Sequence, residues 1–138
     1  MAIDQATRET LIEQARAARA RSYAPYSNIH VGAAALLPDG SIVQGANVEN
    51  ASYGLTCCAE RVAIFTAITG HGAKSFQALA VSVLGDLEGK PMPPTALSPC
   101  GACRQVMAEF MEDDAIIIVD GARDYTMGEL LPDAFRLK

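Results

Sequence analysis

The pattern of apolar and polar residues predicts an amphipathic helix at the start of the chain. Residues Asp4 to about Arg21 are mostly Ala, Arg, Glu and Gln, which are good helix formers. Leu11, Ala15 and Ala18 fall on one helical face. Asp4 or Thr7 can cap its N-terminus. A polar stretch from Ser22 to Asn28 then ends the pattern.

Four apolar runs are typical of strands. Val31 to Leu37 and Ser41 to Asn47 are joined by Pro38-Asp39-Gly40, which predicts a hairpin. Phe76 to Leu84 is almost continuously apolar, which predicts a strand buried on both faces by helices. Ile116 to Val119 is a short buried strand.

The remaining apolar segments predict helices. Cys58 to Thr69 is expected to stop at Gly70, and Cys100 to Phe110 to follow a loop over Gly85 to Ser98. Thr126-x-x-Glu129 is a capping-box pattern for a short helix that ends at Pro132. The order α-β-β-α-β-α-β-α predicts one α/β domain over residues 1–138, with a mixed sheet between helices.

Composition narrows the classes of function. The chain has 138 residues, of which 50% are apolar and 20% charged, with a net charge of −5. This is ample apolar surface for a folded domain. Polymeric nucleic acid is not an expected partner because no Lys/Arg cluster is present. Nor is a membrane, because no apolar run approaches about 20 residues. The N-terminus has no apolar signal segment, so we expect a cytoplasmic protein.

The spacing of the cysteines indicates a metal site. Cys58 starts one predicted helix and Cys100 and Cys103 start another, where unpaired N–H groups and the helix dipole favour thiolates. In a reducing compartment, clustered cysteines more often bind metal or act in catalysis than form disulfides. Three thiolates give zinc three of its four ligands and leave one position open to water. Cys57 is interpreted as a packed thiol.

Glu60 lies two residues beyond Cys58 and is predicted to be a proton carrier beside the open zinc position. Taken alone, it is more typical of a stabilising acidic residue in the first turn of a helix. However, Cys-Ala-Glu followed by Pro-Cys-x-x-Cys is the three-cysteine form of the zinc nucleobase-deaminase signature. This combination is far more specific than Cys-x-x-Cys alone.

The chain resembles the small zinc-dependent cytidine deaminases over essentially its whole length. The segments that carry the resemblance are Tyr23-Ala-Pro-Tyr-Ser27, Val31-Gly-Ala-Ala34, Asn47-Val-Glu-Asn-Ala-Ser-Tyr53, Cys58-Ala-Glu-Arg61, Ser98-Pro-Cys-Gly-Ala-Cys-Arg-Gln105 and Leu130-Leu-Pro-Asp-Ala-Phe135. That family hydrolyses cytidine or deoxycytidine to the uridine product and ammonia, in pyrimidine salvage. The resemblance implies a three-layer α/β/α sandwich with a mixed five-stranded sheet, one Zn²⁺ per chain, and a homotetramer with shared active sites.

The resemblance also implies a role for each residue of the metal site. Cys58, Cys100 and Cys103 would bind zinc, and Glu60 would move protons to N3 and to the leaving amine. Arg61 and Arg104 would donate hydrogen bonds to the thiolates and offset their charge. The alternative interpretation is that both arginines are ordinary surface cations without a role at the metal site.

Substrate binding is implied for a further set of positions. Asn47 and Glu49 match the pair that binds the ribose 3′-hydroxyl, and their i, i+2 spacing at a strand end places both on one face. Ala59 belongs to the same pocket. Ile29 stands where these deaminases usually have a phenylalanine that stacks on the pyrimidine. Phe135 matches an aromatic residue that reaches a neighbouring subunit's active site, or else anchors the tail on its own core.

Other functions compete with this interpretation. A thiol-disulfide oxidoreductase would use Cys100 and Cys103 as its dithiol, but it leaves Cys-Ala-Glu and Asn-x-Glu unexplained. Deaminases of other aminopyrimidines, such as blasticidin S, lack the glutamate at the position of Glu49. A non-catalytic binding module is disfavoured because every catalytic position is occupied. The preference for cytidine or deoxycytidine, a role in antimetabolite resistance and a modified-cytosine substrate fitted to Ile29 all stay open.

Overall fold

The computed structural model describes residues 3–138, so Met1 and Ala2 of the expected domain lie outside the described residues. The helices are α1 (Gln5–Ala18), α2 (Ala59–His71), α3 (Gly101–Phe110) and α4 (Met127–Leu130). The strands are β1 (His30–Leu36), β2 (Ile42–Ala46), β3 (Ala78–Leu84), β4 (Asp86–Leu87), β5 (Lys90–Pro91), β6 (Ile116–Val119) and β7 (Asp124–Thr126). Helix α1 continues into a 3₁₀ turn over Arg19–Arg21.

The central sheet of residues 3–138 has five strands in the order β2-β1-β3-β6-β7. Strand β1 pairs antiparallel with both β2 and β3, and β6 pairs antiparallel with β7. Strand β3 pairs parallel with β6. A parallel pair needs a crossover connection, and α3 lies within it.

Helices cover both faces of this sheet because successive strand residues point to opposite sides. On one face, Leu11 of α1 packs with Ala34 of β1. On the other face, Ile64 of α2 and Met107 of α3 pack with Leu79 of β3. The expected three-layer α/β/α sandwich with a mixed five-stranded sheet is therefore confirmed. Within residues 3–138, no helix is both long and apolar enough to cross a membrane.

Two strand glycines allow the helices to approach the sheet closely. A Cβ atom on Gly32 would lie 1.9 Å from the carbonyl oxygen of Ala15 in α1. A Cβ atom on Gly45 would lie 2.3 Å from the backbone nitrogen of Ala63 in α2. Helix backbone fills the space that a side chain would need, so only glycine fits at these positions.

Helix caps follow the sequence prediction at two N-termini. The side chain of Asp4 accepts a hydrogen bond from the Thr7 N–H at 2.7 Å, so Asp4 is the N-cap of α1. At α4, Thr126 and Glu129 form the predicted capping box, each side chain bonding the other's backbone N–H.

The end of α2 is where the prediction of a stop at Gly70 is wrong. The helix continues to His71 and ends at Gly72, which has φ 70° and satisfies the C-terminal carbonyls of Ala67 and Ile68. As residue types, Gly70 and Gly72 are equally suited to the end of a helix. The packing of the following segment decides which one adopts the left-handed conformation.

Two small strand elements also differ from the pattern-based prediction. The segment from Gly85 to Ser98, expected to be a loop, contains the β4–β5 hairpin, whose turn places Glu88 and Gly89 at φ 54° and 77°. Strand β7 has no apolar run, and it forms because its backbone pairs with β6. Only the family resemblance implied this fifth strand.

Substituting Gly45→Ala tests the close approach of α2 to the sheet. The added methyl group meets helix backbone, so we expect the free energy of unfolding to fall by about 1–3 kcal/mol, as in overpacked cores. Gly70→Ala is the control, because a Cβ atom there meets nothing within 4 Å. That variant should gain up to ~1 kcal/mol from helix propensity. Urea unfolding measures both, and equal stabilities for the two variants would contradict the packing argument.

Candidate metal centre and active site

The ends of two helices bring three cysteines together. Cys58 is the N-cap of α2, Cys100 is the N-cap of α3, and Cys103 lies in the first turn of α3. Their sulfur atoms all lie within 4.8 Å of one another, and those of Cys58 and Cys100 are 3.9 Å apart. Sulfurs at 2.3 Å from a tetrahedral zinc are about 3.8 Å apart. The observed cluster therefore fits zinc.

Electrostatics at the cluster favours a thiolate. A hydrogen bond from the Cys103 thiol, aided by Arg61, lowers the pKa of Cys58 to about 5 despite its burial. The same hydrogen bond and burial raise the pKa of Cys103. Soft sulfur donors of this kind select zinc over hard cations such as Mg²⁺ or Ca²⁺. Within residues 3–138 all four cysteines are free, so the thiols are available as ligands.

Arg61 is positioned as the sequence suggests. Its Nη2 donates to Cys58 Sγ at 3.3 Å, and this bond raises the pKa of the guanidinium. Its Nε is buried and has no hydrogen-bond partner among the described residues. A cation held against the sulfurs offsets the net negative charge of a three-thiolate zinc site.

Arg104 differs from the expectation that it supports the thiolates. Its Nε donates to the carbonyl of Pro99 at 2.8 Å, its Nη1 to the carbonyl of Leu130 at 2.8 Å, and its Nη2 to Ser98 Oγ at 3.2 Å. These bonds use all three guanidinium nitrogens and tie the segment before α3 to the end of α4. Arg104 thus holds the Cys100 loop in place without contacting sulfur.

Glu60 is buried beside the cysteines. It is the second residue of α2, only 4% of its surface is exposed, and burial raises its pKa to about 7. The negative charge of Cys58 contributes to this rise. A carboxyl group with a pKa near neutrality both accepts and donates protons efficiently. The structure thus places an acid–base group next to the metal centre.

One cavity of about 360 Å³ borders the metal centre and the predicted substrate residues. Cys58, Cys100 and Glu60 line it, and so do Asn47 and Glu49. Most of its wall is aliphatic, from Ile29, Val31, Val81, Val83, Leu87, Met92 and Leu97. This volume lies in the range typical of small-molecule sites.

Asn47 borders the cavity but also has a structural role. Its Oδ1 accepts from the Val31 N–H at 2.8 Å, and its Nδ2 donates to the Ile29 carbonyl at 2.9 Å. The side chain is buried, and these two bonds hold the start of β1. One amide proton and one lone pair remain for a ligand.

Glu49 is held by the segment before β1. Its Oε1 accepts from the N–H groups of Tyr26 and Ser27 at 2.9 and 3.2 Å, and its Oε2 accepts from the Ser27 hydroxyl. Burial raises its pKa, but these hydrogen bonds outweigh burial and lower it below its usual value. The residue therefore presents an ionised carboxylate to the cavity.

Two predicted substrate residues lie away from the cavity wall in the described chain. Ala59 is fully buried in the core and contributes no side chain to the cavity lining, so a side-chain role is not supported. Its backbone N–H is one of the first-turn donors of α2 that lack a partner within the helix. Phe135 is 68% exposed, and its carbonyl accepts from Gln105 Nε2 at 3.0 Å. Its ring is thus available to another chain and does not anchor the tail.

The sequence assigned no role to several cavity residues. Ser27 lies in a segment that carries the resemblance. Its contact with Glu49 could not be predicted, because the two residues are 22 positions apart in the sequence. Leu87 and Met92 come from the hairpin segment after β3, which has no periodic pattern to identify it. For these two residues no signal was present in the sequence.

Comparison with known proteins decides the family. The model of the cytidine and deoxycytidylate deaminase zinc-binding region matches residues 5–119, which include the cysteine cluster and Glu60. The chain belongs to this zinc-binding deaminase family. The family and the cysteine geometry both identify Zn²⁺ as the cofactor.

Individual relatives agree with this assignment. A cytidine deaminase of Halalkalibacterium halodurans is 46% identical over 132 residues, or 93% of each chain. The crystal structure of cytidine deaminase from Mycobacterium tuberculosis matches with a TM-score of 0.79 and 40% identity, covering 99% of this chain and 100% of that one. A blasticidin-S deaminase of Bacillus cereus is 29% identical over 105 residues, or 75% of this chain and 74% of its own.

Substituting Cys100→Ala tests the metal centre. We expect the purified wild-type protein to contain about one zinc per chain and the variant to contain far less, because two thiolates hold zinc weakly. Cys57→Ala is the matched control, since Cys57 is adjacent to the cluster but outside it. Metal analysis of the purified proteins measures this. Full zinc occupancy in Cys100→Ala would contradict the assignment.

Proposed function

We propose that the chain catalyses the hydrolytic deamination of cytidine and deoxycytidine to uridine or deoxyuridine and ammonia. The observation that carries this proposal is the cavity lined by Cys58 and Cys100, by Glu60, and by the Asn47–Glu49 pair. These are the parts needed to activate water, move protons and hold a nucleoside. The relatives named cytidine deaminase support the same conclusion.

Glu60 carries the proton transfers. Bound zinc supplies the Lewis acidity that makes a water molecule nucleophilic near neutral pH. Glu60 would pass the first proton of the attacking water to N3, and would then pass the second, taken from the new C4 hydroxyl, to the amine as the C4–N bond breaks. Its buried position and its pKa of about 7 suit both directions of transfer. The products are the C4 carbonyl and ammonia.

The other end of the cavity recognises the nucleoside. Glu49 accepts a hydrogen bond from the sugar 3′-hydroxyl. Beside it, the remaining amide proton and lone pair of Asn47 bind the same part of the nucleoside. The aliphatic wall covers the base and excludes water. A free base lacks the sugar contact, and a nucleotide brings phosphate to a protein of net charge −5. Both are therefore expected to be poor substrates.

Ultraviolet-monitored deamination of cytidine, deoxycytidine, cytosine and CMP tests this function. We expect turnover of both nucleosides and little turnover of cytosine or CMP. The matched variant Glu60→Gln should keep its zinc but lose activity by at least ~10²-fold, as for a general acid–base. Efficient turnover of free cytosine, or near-normal activity of Glu60→Gln, would refute this assignment of roles.

Ile29→Phe tests the base pocket. Stacking of a base on an aromatic side chain contributes ~1–3 kcal/mol of binding free energy relative to alanine. Isoleucine provides part of this free energy because it buries apolar surface against the base. We therefore expect the substitution to raise kcat/KM for cytidine roughly fivefold. Analogues substituted at N4 or C5 serve as the comparison. A fall on cytidine, or a selective loss on these analogues, would show that the pocket is adapted to a modified base.

We also propose a homotetramer with shared active sites. Its support is the family resemblance and the exposed apolar side chains of Tyr53, Phe135 and Leu137, which are 77%, 68% and 88% exposed. Such side chains favour contact with another chain. Sedimentation should give four chains per particle, and Phe135→Ala should lower activity. A fully active monomer would exclude a shared site.

The cellular role follows from the reaction. Uridine and deoxyuridine re-enter nucleotide synthesis, so we propose that the enzyme serves pyrimidine salvage. The free cysteines suit the reducing cytoplasm, where we place it. Cell fractionation, together with growth of a deletion strain on cytidine as its sole pyrimidine source, measures both proposals. Unimpaired growth of the deletion strain would contradict the salvage role.

A further inference from the structure

We infer that Ser27 is a positioning residue that joins the sugar-binding carboxylate of Glu49 to the base-pocket residue Ile29. The inference rests on the proposed function, in which Glu49 receives the sugar hydroxyl. Ser27 borders the same cavity as both residues. Ser27 would therefore act on the reaction indirectly, by positioning Glu49 and Ile29.

The Ser27 hydroxyl uses both its donor and its acceptor function. It donates its proton to Glu49 Oε2, and its oxygen accepts the Ile29 N–H at 3.0 Å. A hydroxyl has a single proton, so a hydrogen bond from Ile29 leaves that proton directed at the carboxylate. The two contacts therefore support one orientation of the hydroxyl.

This hydroxyl completes the restraint on Glu49. The backbone N–H groups of Tyr26 and Ser27 hold Oε1 only. Glu49 is half-buried, so its carboxylate retains rotational freedom unless the second oxygen is also held. Ordering that side chain during binding costs affinity, and a carboxylate ordered in advance avoids the cost.

Ile29 is restrained from the other direction. Its carbonyl accepts from Asn47 Nδ2 at 2.9 Å, and its N–H is held by Ser27. Gly85 lies so close that a Cβ atom on it would be 3.2 Å from the Cα of Ile29. The sugar-binding residues and the base wall thus form one hydrogen-bonded unit.

Steady-state kinetics of the zinc-loaded enzyme on 2′-deoxycytidine and 2′,3′-dideoxycytidine test this inference, because these substrates differ only in the 3′-hydroxyl. The hydrogen bonds of Ser27 are solvent-exposed, so we expect Ser27→Ala to raise KM for deoxycytidine roughly three- to tenfold. Its kcat should stay within about twofold of wild type. KM for dideoxycytidine should rise clearly less, because that substrate senses only the lost restraint on Ile29. Ser27→Thr keeps the hydroxyl and should restore KM.

Ser41→Ala is the matched control. The Ser41 hydroxyl also donates to a carboxylate, Asp39 Oδ1 at 2.6 Å, in an exposed turn outside the cavity lining. This variant should leave both KM values unchanged. It therefore shows whether loss of any serine–carboxylate bond perturbs the kinetics.

The outcomes separate this inference from the proposed function. If wild type turns over deoxycytidine but Ser27→Ala leaves KM unchanged, the positioning role is wrong. An equal rise of KM on both substrates would show a general loosening of the pocket and would likewise overturn it. Absence of nucleoside turnover by the zinc-loaded wild type would refute the proposed function itself.

Discussion

The N-termini of α2 and α3 meet on one face of the sheet, and the chemistry of the site depends on this meeting. Each terminus has unpaired N–H groups and a partial positive charge that favour anions. Both N-caps are cysteines, Cys58 and Cys100, and Cys103 follows one turn later. The close approach of α2 to Gly45 places its terminus relative to the sheet. A metal centre results without a dedicated metal-binding loop.

The two arginines near this centre have different roles, one electrostatic and one structural. Arg61 lies against the sulfur of Cys58 and balances negative charge there. Arg104 donates to two carbonyls and a hydroxyl and fixes the segment that leads into α3. A buried carboxyl group, Glu60, is tolerated beside the thiolates because burial favours its protonated form. The buried carboxyl group and the cysteine cluster thus border one small, largely apolar cavity.

At the other end of the cavity, backbone groups do much of the positioning. Asn47 holds the start of β1 through two backbone bonds, and Glu49 accepts two backbone N–H groups. The side chains proposed to contact the nucleoside thus also order the pocket. The polar end of the cavity is therefore held by hydrogen bonds, whereas Leu87, Met92 and Leu97 of its aliphatic wall come from the segment after β3.

The sequence by itself determined the elements whose signals are local. Apolar periodicity predicted α1, α3 and the β1–β2 hairpin, and a capping box predicted α4. The metal ligands, and the position of Glu60 beside them, were predictable because few residue types suit such a site and their spacing is short within each motif. The resemblance supplied the remaining roles and the fifth strand.

Tertiary structure alone decided features that depend on distant partners. Whether α2 ends at Gly70 or Gly72, and whether a segment without an apolar pattern becomes β7, depends on what packs or pairs with it. Arg104 bonds a carbonyl 26 residues away, and Ser27 bonds a carboxylate 22 residues away. Such hydrogen bonds and cavity walls form between segments that are far apart in the sequence. Residue types and local spacing indicate which groups are available, but chain folding chooses which of them meet.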